Sequence, residues 1–273
     1  MRFCPIVSGS SGNCTFVSIG GASVLVDAGL SGVAAEERLL SIDTSIIDRS
    51  KRQSSIDGIL VTHEHGDHIQ GVGVLSRKYD IPVFATRGTW KAMDCGRLVG
   101  KIADKNKRVI APNEQFTIKS MTVVPFTIPH DAESPVGYSF FAEGRKAVVA
   151  TDIGEPNDYI IENLKNADVL LIESNHDLEM LERGRYPEHL KKRISGKYGH
   201  LSNAAAGRLI CDCFSPRLSH IFLAHLSEEN NRPLIALDAV STILRANNIK
   251  MNCENGVRVT VAERYDLSDV VVM

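Results

Sequence analysis

Residues 62–68 read Thr-His-Glu-His-Gly-Asp-His. Four potential metal ligands, His63, His65, Asp67 and His68, fall within six residues. They follow an apolar run, Asp57-Gly-Ile-Leu-Val-Thr-His63, that reads as a strand. They precede a segment whose apolar residues Ile69, Val72, Leu75 and Tyr79 recur at helical spacing. In extended backbone, positions i and i+2 face one side, so His63 and His65 can share one ion. The chain then turns at Gly66, placing Asp67 and His68 where they can face a second ion. An isolated histidine pair is commonly a surface feature. This density of ligands between a strand and a helix is the pattern of a metal site.

The same device recurs downstream. Three further apolar runs, 122–130, 147–152 and 221–225, end in His130, Asp152 and His225 respectively. Carboxyl ends of strands are where α/β folds build sites. The inventory of five histidines and two aspartates suits two metals. His63, His65 and His130 would hold one ion, Asp67, His68 and His225 the other, and Asp152 would bridge them. Two cations roughly 3.5–4 Å apart can activate a shared water and stabilise both attacking and leaving oxygens. With imidazole and carboxylate donors and no thiolate, zinc, manganese and iron all fit.

The rest of the chain sets the frame. It has 273 residues, 43% hydrophobic and 23% charged, an ordinary globular composition. Lys+Arg is 31 against Asp+Glu 33, a net charge of -2, which excludes a generic basic nucleic-acid coat and leaves room for a local patch. The first residues carry no signal-peptide pattern, and no apolar run is long enough to span a membrane. Six cysteines, Cys4, Cys14, Cys95, Cys211, Cys213 and Cys253, are scattered, so free thiols and a cytoplasmic location are expected. Cys211 and Cys213 read as helix packing. No linker or repeat interrupts residues 1–273, which read as one domain. Short strands flank a Gly20-Gly21 hairpin turn, a helix is expected over the 30s and early 40s, and the middle is β-rich. Helices and strands alternate after about residue 157. Meanders combined with βα units indicate an α/β sandwich with helices covering the sheets.

With His130, Asp152 and His225 added, the 62–68 motif resembles the metallo-β-lactamase fold. The resemblance implies a four-layer αββα sandwich of two similar halves, with the site at one sheet edge. Asp27, in Val-Leu-Val-Asp-Ala-Gly (24–29), matches that family's early aspartate, which implies support of the histidine loop from behind the metal ligands. Segments 8–13, 129–138, 173–177, 185–194, 199–203 and 224–233 are similar to the YycJ/WalJ subgroup, exonuclease-like proteins of bacteria. That implies phosphodiester hydrolysis on DNA from 5′ to 3′, with a role in repair and with RNA left open as a substrate. The alternative is a small-molecule acyl hydrolase acting on a thioester or lactone with the same metals. A redox di-iron protein is disfavoured, because that branch carries Glu where this chain has His65. The segment between Asp152 and His225 is too short for the inserted domain of the β-CASP nucleases. Native metal and oligomeric state stay open.

Several residues are candidates for the substrate. Ser10, Ser11, Gly12 and Asn13 form a polar loop whose backbone N–H groups could cradle an anion. Ser202 and Asn203 precede a helix and equally suit its N-cap. By resemblance, this segment with His200 is assigned to the phosphate or leaving group, and Asn175 and His176 to the same rim. Arg183, Arg185, Lys191, Lys192, Arg193 and Lys197 read as a solvated helix face or as a track for the phosphate backbone. Asp67 would orient the attacking water and accept its proton, and His200 would act as general acid toward the leaving 3′ oxygen.

Overall fold

Most strands are apolar along their whole length, and the layering explains why. Each of two sheets is covered on both faces, so the central strands bury both of their sides. The computed structural model describes residues 1–273. The first half contains β1 (Arg2–Val7), β2 (Cys14–Ile19), β3 (Ala22–Val26), α1 (Gly32–Ile42), a small hairpin of β4 (Ile47–Asp48) and β5 (Gln53–Ser54), β6 (Gly58–Leu60), α2 (Gly66–Ile69), α3 (Val72–Tyr79), β7 (Val83–Thr86), α4 (Arg87–Gly96) and β8 (Lys107–Ile110). The second contains β9 (Phe116–Ile118), β10 (Met121–Thr127), β11 (Val136–Ala142), β12 (Arg145–Ala150), α5 (Asp158–Leu164), β13 (Val169–Glu173), α6 (Leu178–Arg183), α7 (Glu188–Ile194), α8 (Asn203–Cys213), β14 (His220–Ala224), α9 (Pro233–Ala246), β15 (Arg258–Val261) and β16 (Val271–Val272).

The strands make two seven-stranded sheets, ordered β16-β1-β2-β3-β6-β7-β8 and β15-β14-β13-β12-β11-β10-β9. Three separate cores account for four layers. Leu25, Ile59, Leu75 and Trp90 pack between the first sheet and its helices. Ile172, Leu223, Leu209 and Leu244 pack between the second sheet and its helices. Phe3, Val24, Leu60, Tyr138, Phe140 and Phe222 fill the space between the sheets. Alternate residues of one strand enter different cores, as Leu170 and Leu171 do. This is the αββα sandwich expected from the sequence.

Strand direction gathers the candidate ligands. β12, β13 and β14 are parallel neighbours, so Asp152, Glu173 and His225 emerge at one edge. β10 and β12 are each antiparallel to β11, so β10 runs the same way and delivers His130 there too. In the first sheet, parallel β3 and β6 deliver Asp27 and the 62–68 loop.

Some local expectations change. The strand before His63 ends at Leu60, although the Val61 N–H still donates to Phe84. The helix after Asp67 is two pieces, broken at Gln70-Gly71, yet Ile69, Val72, Leu75 and Tyr79 are all buried as their spacing requires. The Gly20-Gly21 turn is present with φ of 59° and 72°, the left-handed pair a two-residue hairpin needs. The 107–110 strand went unread because it is a charged edge strand rather than a buried one. All six cysteines are free, and Cys213 is buried on α8. No helix is long and apolar enough to cross a membrane.

Phe222 of the second sheet stacks on Phe3 of the first at 5.9 Å between centroids. Phe222→Ala is expected to lower stability by about 3–5 kcal/mol through transfer and cavity terms. Urea unfolding checks this, and a loss below about 1 kcal/mol would show that the sheets do not depend on this contact.

Candidate metal centre

The site begins with a buried carboxylate, Asp27, only 2% exposed at the end of β3. Its Oδ1 accepts the Thr62 N–H at 2.8 Å, and its Oδ2 accepts the Thr62 hydroxyl at 2.8 Å. The same Oδ2 lies 2.8 Å from His68 Nδ1, which therefore donates to it. The Thr62 hydroxyl, its proton already given to Asp27, accepts from His63 Nδ1 at 3.0 Å. One carboxylate thus binds Nδ1–H of His68 directly and that of His63 through Thr62, turning Nε2 of each toward the site. Thr62 itself was not singled out in the sequence.

The second sheet repeats the device with Glu173, also fully buried. Its Oε2 accepts the N–H groups of Ile153 and Leu201, each at 2.9 Å. Its Oε1 holds His225 Nδ1 at 2.9 Å and His200 Nδ1 at 2.7 Å. Glu173 escaped the sequence analysis although the signal was present. It ends an apolar strand, like His130, Asp152 and His225, but its segment was read only for Asn175 and His176.

The residues expected to bind metal are brought close together. His63 Nε2 lies 3.0 Å from His65 Nδ1, which is 3.4 Å from His130 Nε2. The Gly199 carbonyl accepts from His130 Nδ1 at 3.2 Å, so its Nε2 too is free. Asp67 Oδ2 is 3.4 Å from His225 Nε2 and 3.6 Å from His68 Nε2. Asp152 stands between the groups, 3.4 Å from His68 Nε2 and 3.8 Å from His130 Nε2. Asp27, Asp152 and His225 hold left-handed φ of 59°, 59° and 55°, a strain on the order of 1–3 kcal/mol each that turns the side chains across the edge. Gly29 has to be glycine, since a Cβ there would sit 1.7 Å from the Asp67 carbonyl oxygen.

These groups fit divalent cations. Three bare imidazole nitrogens facing one another cannot all be satisfied by protons, and the buried Asp152 Oδ2 has no hydrogen-bond partner. With protein groups alone around it, burial pushes the His68 imidazole down, but Asp152 and Asp27 outweigh this and raise it to about 9. Burial pushes the Glu173 carboxyl up, while the His200 charge and the hydrogen bonds from His200 and His225 pull it down to about 2.

A cleft of about 270 Å³ opens on the centre, lined in part by Ser10, His65, Asp67, Asn175, Arg193 and His200. His200 is 20% exposed there. The other expected substrate contacts are placed differently. Gly12 and Asn13 use their N–H groups on Gly9 and Asp67, so that part of the loop cannot cradle an anion. Asn13 is buried, with Nδ2 3.1 Å from His68 Nε2. Ser11 is exposed outside the cleft lining. The Ser202 hydroxyl caps α8 by accepting from Ala205, and Asn203 is buried in hydrogen bonds with Ser174 and Asn231. His176 is buried, and neither ring nitrogen has a partner. Asn175 donates to the His225 carbonyl, steadying that strand end. Of the basic stretch, Arg183 pairs with Glu179 and Lys191 with Glu188; only Arg193 lines the cleft.

Comparison with known proteins gives consistent results. A family model described as "Beta-lactamase superfamily domain" matches residues 22–225. The chain is 41% identical over 244 residues to Exodeoxyribonuclease YycJ of Bacillus anthracis, covering 89% of each. It is 37% identical over 230 residues to Exodeoxyribonuclease WalJ of Streptococcus pneumoniae strain D39, covering 84% of this chain and 83% of that one. Among solved structures, Zn(2+)-bound PqqB from Methylobacterium extorquens aligns with a TM-score of 0.70 at 17% identity, covering 98% of this chain and 100% of that one.

Replacing either supporting carboxylate, Asp27→Asn or Glu173→Gln, is expected to weaken metal binding by about 10–100-fold. Because a cation must displace the His68 proton, affinity should rise as pH increases toward about 9. Equilibrium dialysis with metal analysis checks both; affinity that is flat with pH would contradict the assignment.

Proposed function

This chain belongs to the β-lactamase superfamily, and from that premise we propose that it is a metal-dependent phosphodiesterase, a DNA exonuclease acting from 5′ to 3′. The observation that carries the reading is the pairing, on one cleft, of two His/Asp clusters with an imidazole, His200, that Glu173 holds at the rim. The Bacillus anthracis and Streptococcus pneumoniae relatives are each named exodeoxyribonucleases, which supports DNA as the substrate. His63, His65 and His130 would hold one divalent ion, and Asp67, His68 and His225 the other, with Asp152 between them. Zinc or manganese fits, and iron is compatible. When bound, such ions acidify water and neutralise phosphate charge.

The chain's own residues supply the rest. Asp67, partly exposed to the cleft, orients the attacking water and accepts its proton. His200 donates from Nε2 to the leaving 3′ oxygen. Burial lowers its proton affinity, but the Glu173 charge and hydrogen bond more than reverse this, so the ring holds its proton more tightly than a free imidazole does. Glu173 positions His200 rather than reacting. Of the polar residues expected to meet substrate, Ser10 and Asn175 line the same cleft. The six free thiols support a reducing, cytoplasmic setting, and the core shared between the sheets supports one catalytic domain over residues 1–273.

The test is to incubate the protein with end-labelled single- and double-stranded DNA, an RNA control, and Mn²⁺ or Zn²⁺. Stepwise mononucleotide release from 5′ ends is expected. Asp67→Ala should abolish it, and His200→Ala should lower kcat by about 10²–10⁴-fold with metal retained. A His200→Ala variant that loses only KM would remove the general-acid role. A metal-loaded protein that cleaves no nucleic acid would move the reading to a small acyl or phosphoester substrate.

A further inference from the structure

Helix α7 has no buried residue, yet it forms a wall of the cleft through Leu190, Arg193 and Ile194, with Tyr186 just ahead of it. Arg193 is the only lysine or arginine lining the cleft. Its side chain is 61% exposed, and its Nε donates to Asp131 Oδ2 at 2.5 Å. That single bond anchors the guanidinium at Nε and leaves both Nη groups without a protein partner. On its other side, Asp131 Oδ1 lies 3.4 Å from His130 Nε2. A carboxylate therefore separates the guanidinium from the metal cluster. The charge of Asp131 disfavours an anion between Arg193 and the clusters, which favours a neighbouring phosphate along the strand as the partner of Arg193.

The wall is tied to the reacting centre. His200 N–H donates to the Ile194 carbonyl at 2.8 Å, and His130 Nδ1 donates to the Gly199 carbonyl just beyond the helix. Tyr186, Leu190 and Ile194 put an aromatic ring and two aliphatic chains beside the cation. That combination suits a nucleotide, whose base or sugar packs on apolar surface while its phosphate takes a planar fork of donors.

We propose that Arg193, oriented by Asp131, is a phosphate clamp that binds the substrate strand at a phosphate adjacent to the scissile one, with Tyr186, Leu190 and Ile194 receiving the intervening nucleoside. This rests on the nuclease reading above and adds to it the residue that distinguishes a polynucleotide from an isolated diester. Arg193 is a binding residue and takes no part in bond breaking.

The experiment compares wild type, Arg193→Ala and Arg193→Lys on a single-stranded oligodeoxynucleotide and on bis(p-nitrophenyl) phosphate, a diester with no neighbouring phosphate. KM and kcat are measured across a KCl series, with metal content determined for each protein. Arg193→Ala should raise KM for the oligonucleotide about tenfold or more, with kcat within about twofold. The slope of log KM against log salt should fall by about 0.7, the share of one phosphate on a single strand. Arg193→Lys should keep the slope while recovering only part of the affinity, since a lysine supplies charge without the fork. The small diester should be affected far less. Equal losses on both substrates, a loss confined to kcat, or an unchanged salt slope would overturn the clamp. If wild type cleaves the small diester but no oligonucleotide, the nuclease reading itself fails and the clamp with it. If wild type cleaves both and Arg193→Ala matches it, only the clamp is wrong.

Discussion

The carboxylate of Asp27 is the constraint on which the centre depends. A buried carboxylate is costly unless every oxygen is matched, and here Thr62 and His68 together supply the donors. The match runs outward in two directions, straight to His68 and through the Thr62 hydroxyl to His63. Those two rings belong to different clusters, so one group in the first sheet sets the spacing of both. Glu173 does the corresponding work in the second sheet, for His225 and His200. Each sits at the carboxyl end of a strand near the middle of its sheet, and each uses backbone N–H donors as well as side chains.

The inter-sheet core holds these two supports in register. Tyr138 of β11 crosses from the second sheet to donate to the Val61 carbonyl at 2.7 Å, two residues before His63. Phe3 and Phe222 stack across the same gap. Because interiors are close-packed, a shift of one sheet against the other would be felt directly in the ligand distances. The left-handed backbone at Asp27, Asp152 and His225 is tolerated because the packing behind it leaves no relaxed alternative.

Much of this was legible in the sequence, for reasons that are local. Apolar runs ending in a single His or Asp announce both a strand and what it delivers, and His130, Asp152 and His225 are where that rule places them. The dense 62–68 motif needed no tertiary information. What escaped depends on contacts distant in sequence. Glu173 has its meaning only from His200 and His225, which lie 27 and 52 residues away. Thr62 matters because Asp27 reaches it across 35 residues. Asn13 was read as a substrate residue from its small polar loop and Asn203 by resemblance, and the structure buries both against partners in other elements. Polar side chains in loops give no sign in sequence of whether they face a ligand or another loop.

The division of donors between the sheets has a consequence for how the chain is made. His63, His65, Asp67 and His68 all belong to the first sheet's loop, whereas His130, Asp152 and His225 come from the second. During synthesis from the N-terminus, four donors emerge together more than 150 residues before His225. Neither group is complete within the first sheet, and the one containing Asp67 and His68 stays open until β14 has paired with β13. Closure of that group and docking of the last third of the chain are therefore one event. An ion seated there would act as a rivet through both sheets, set only when the sandwich is whole.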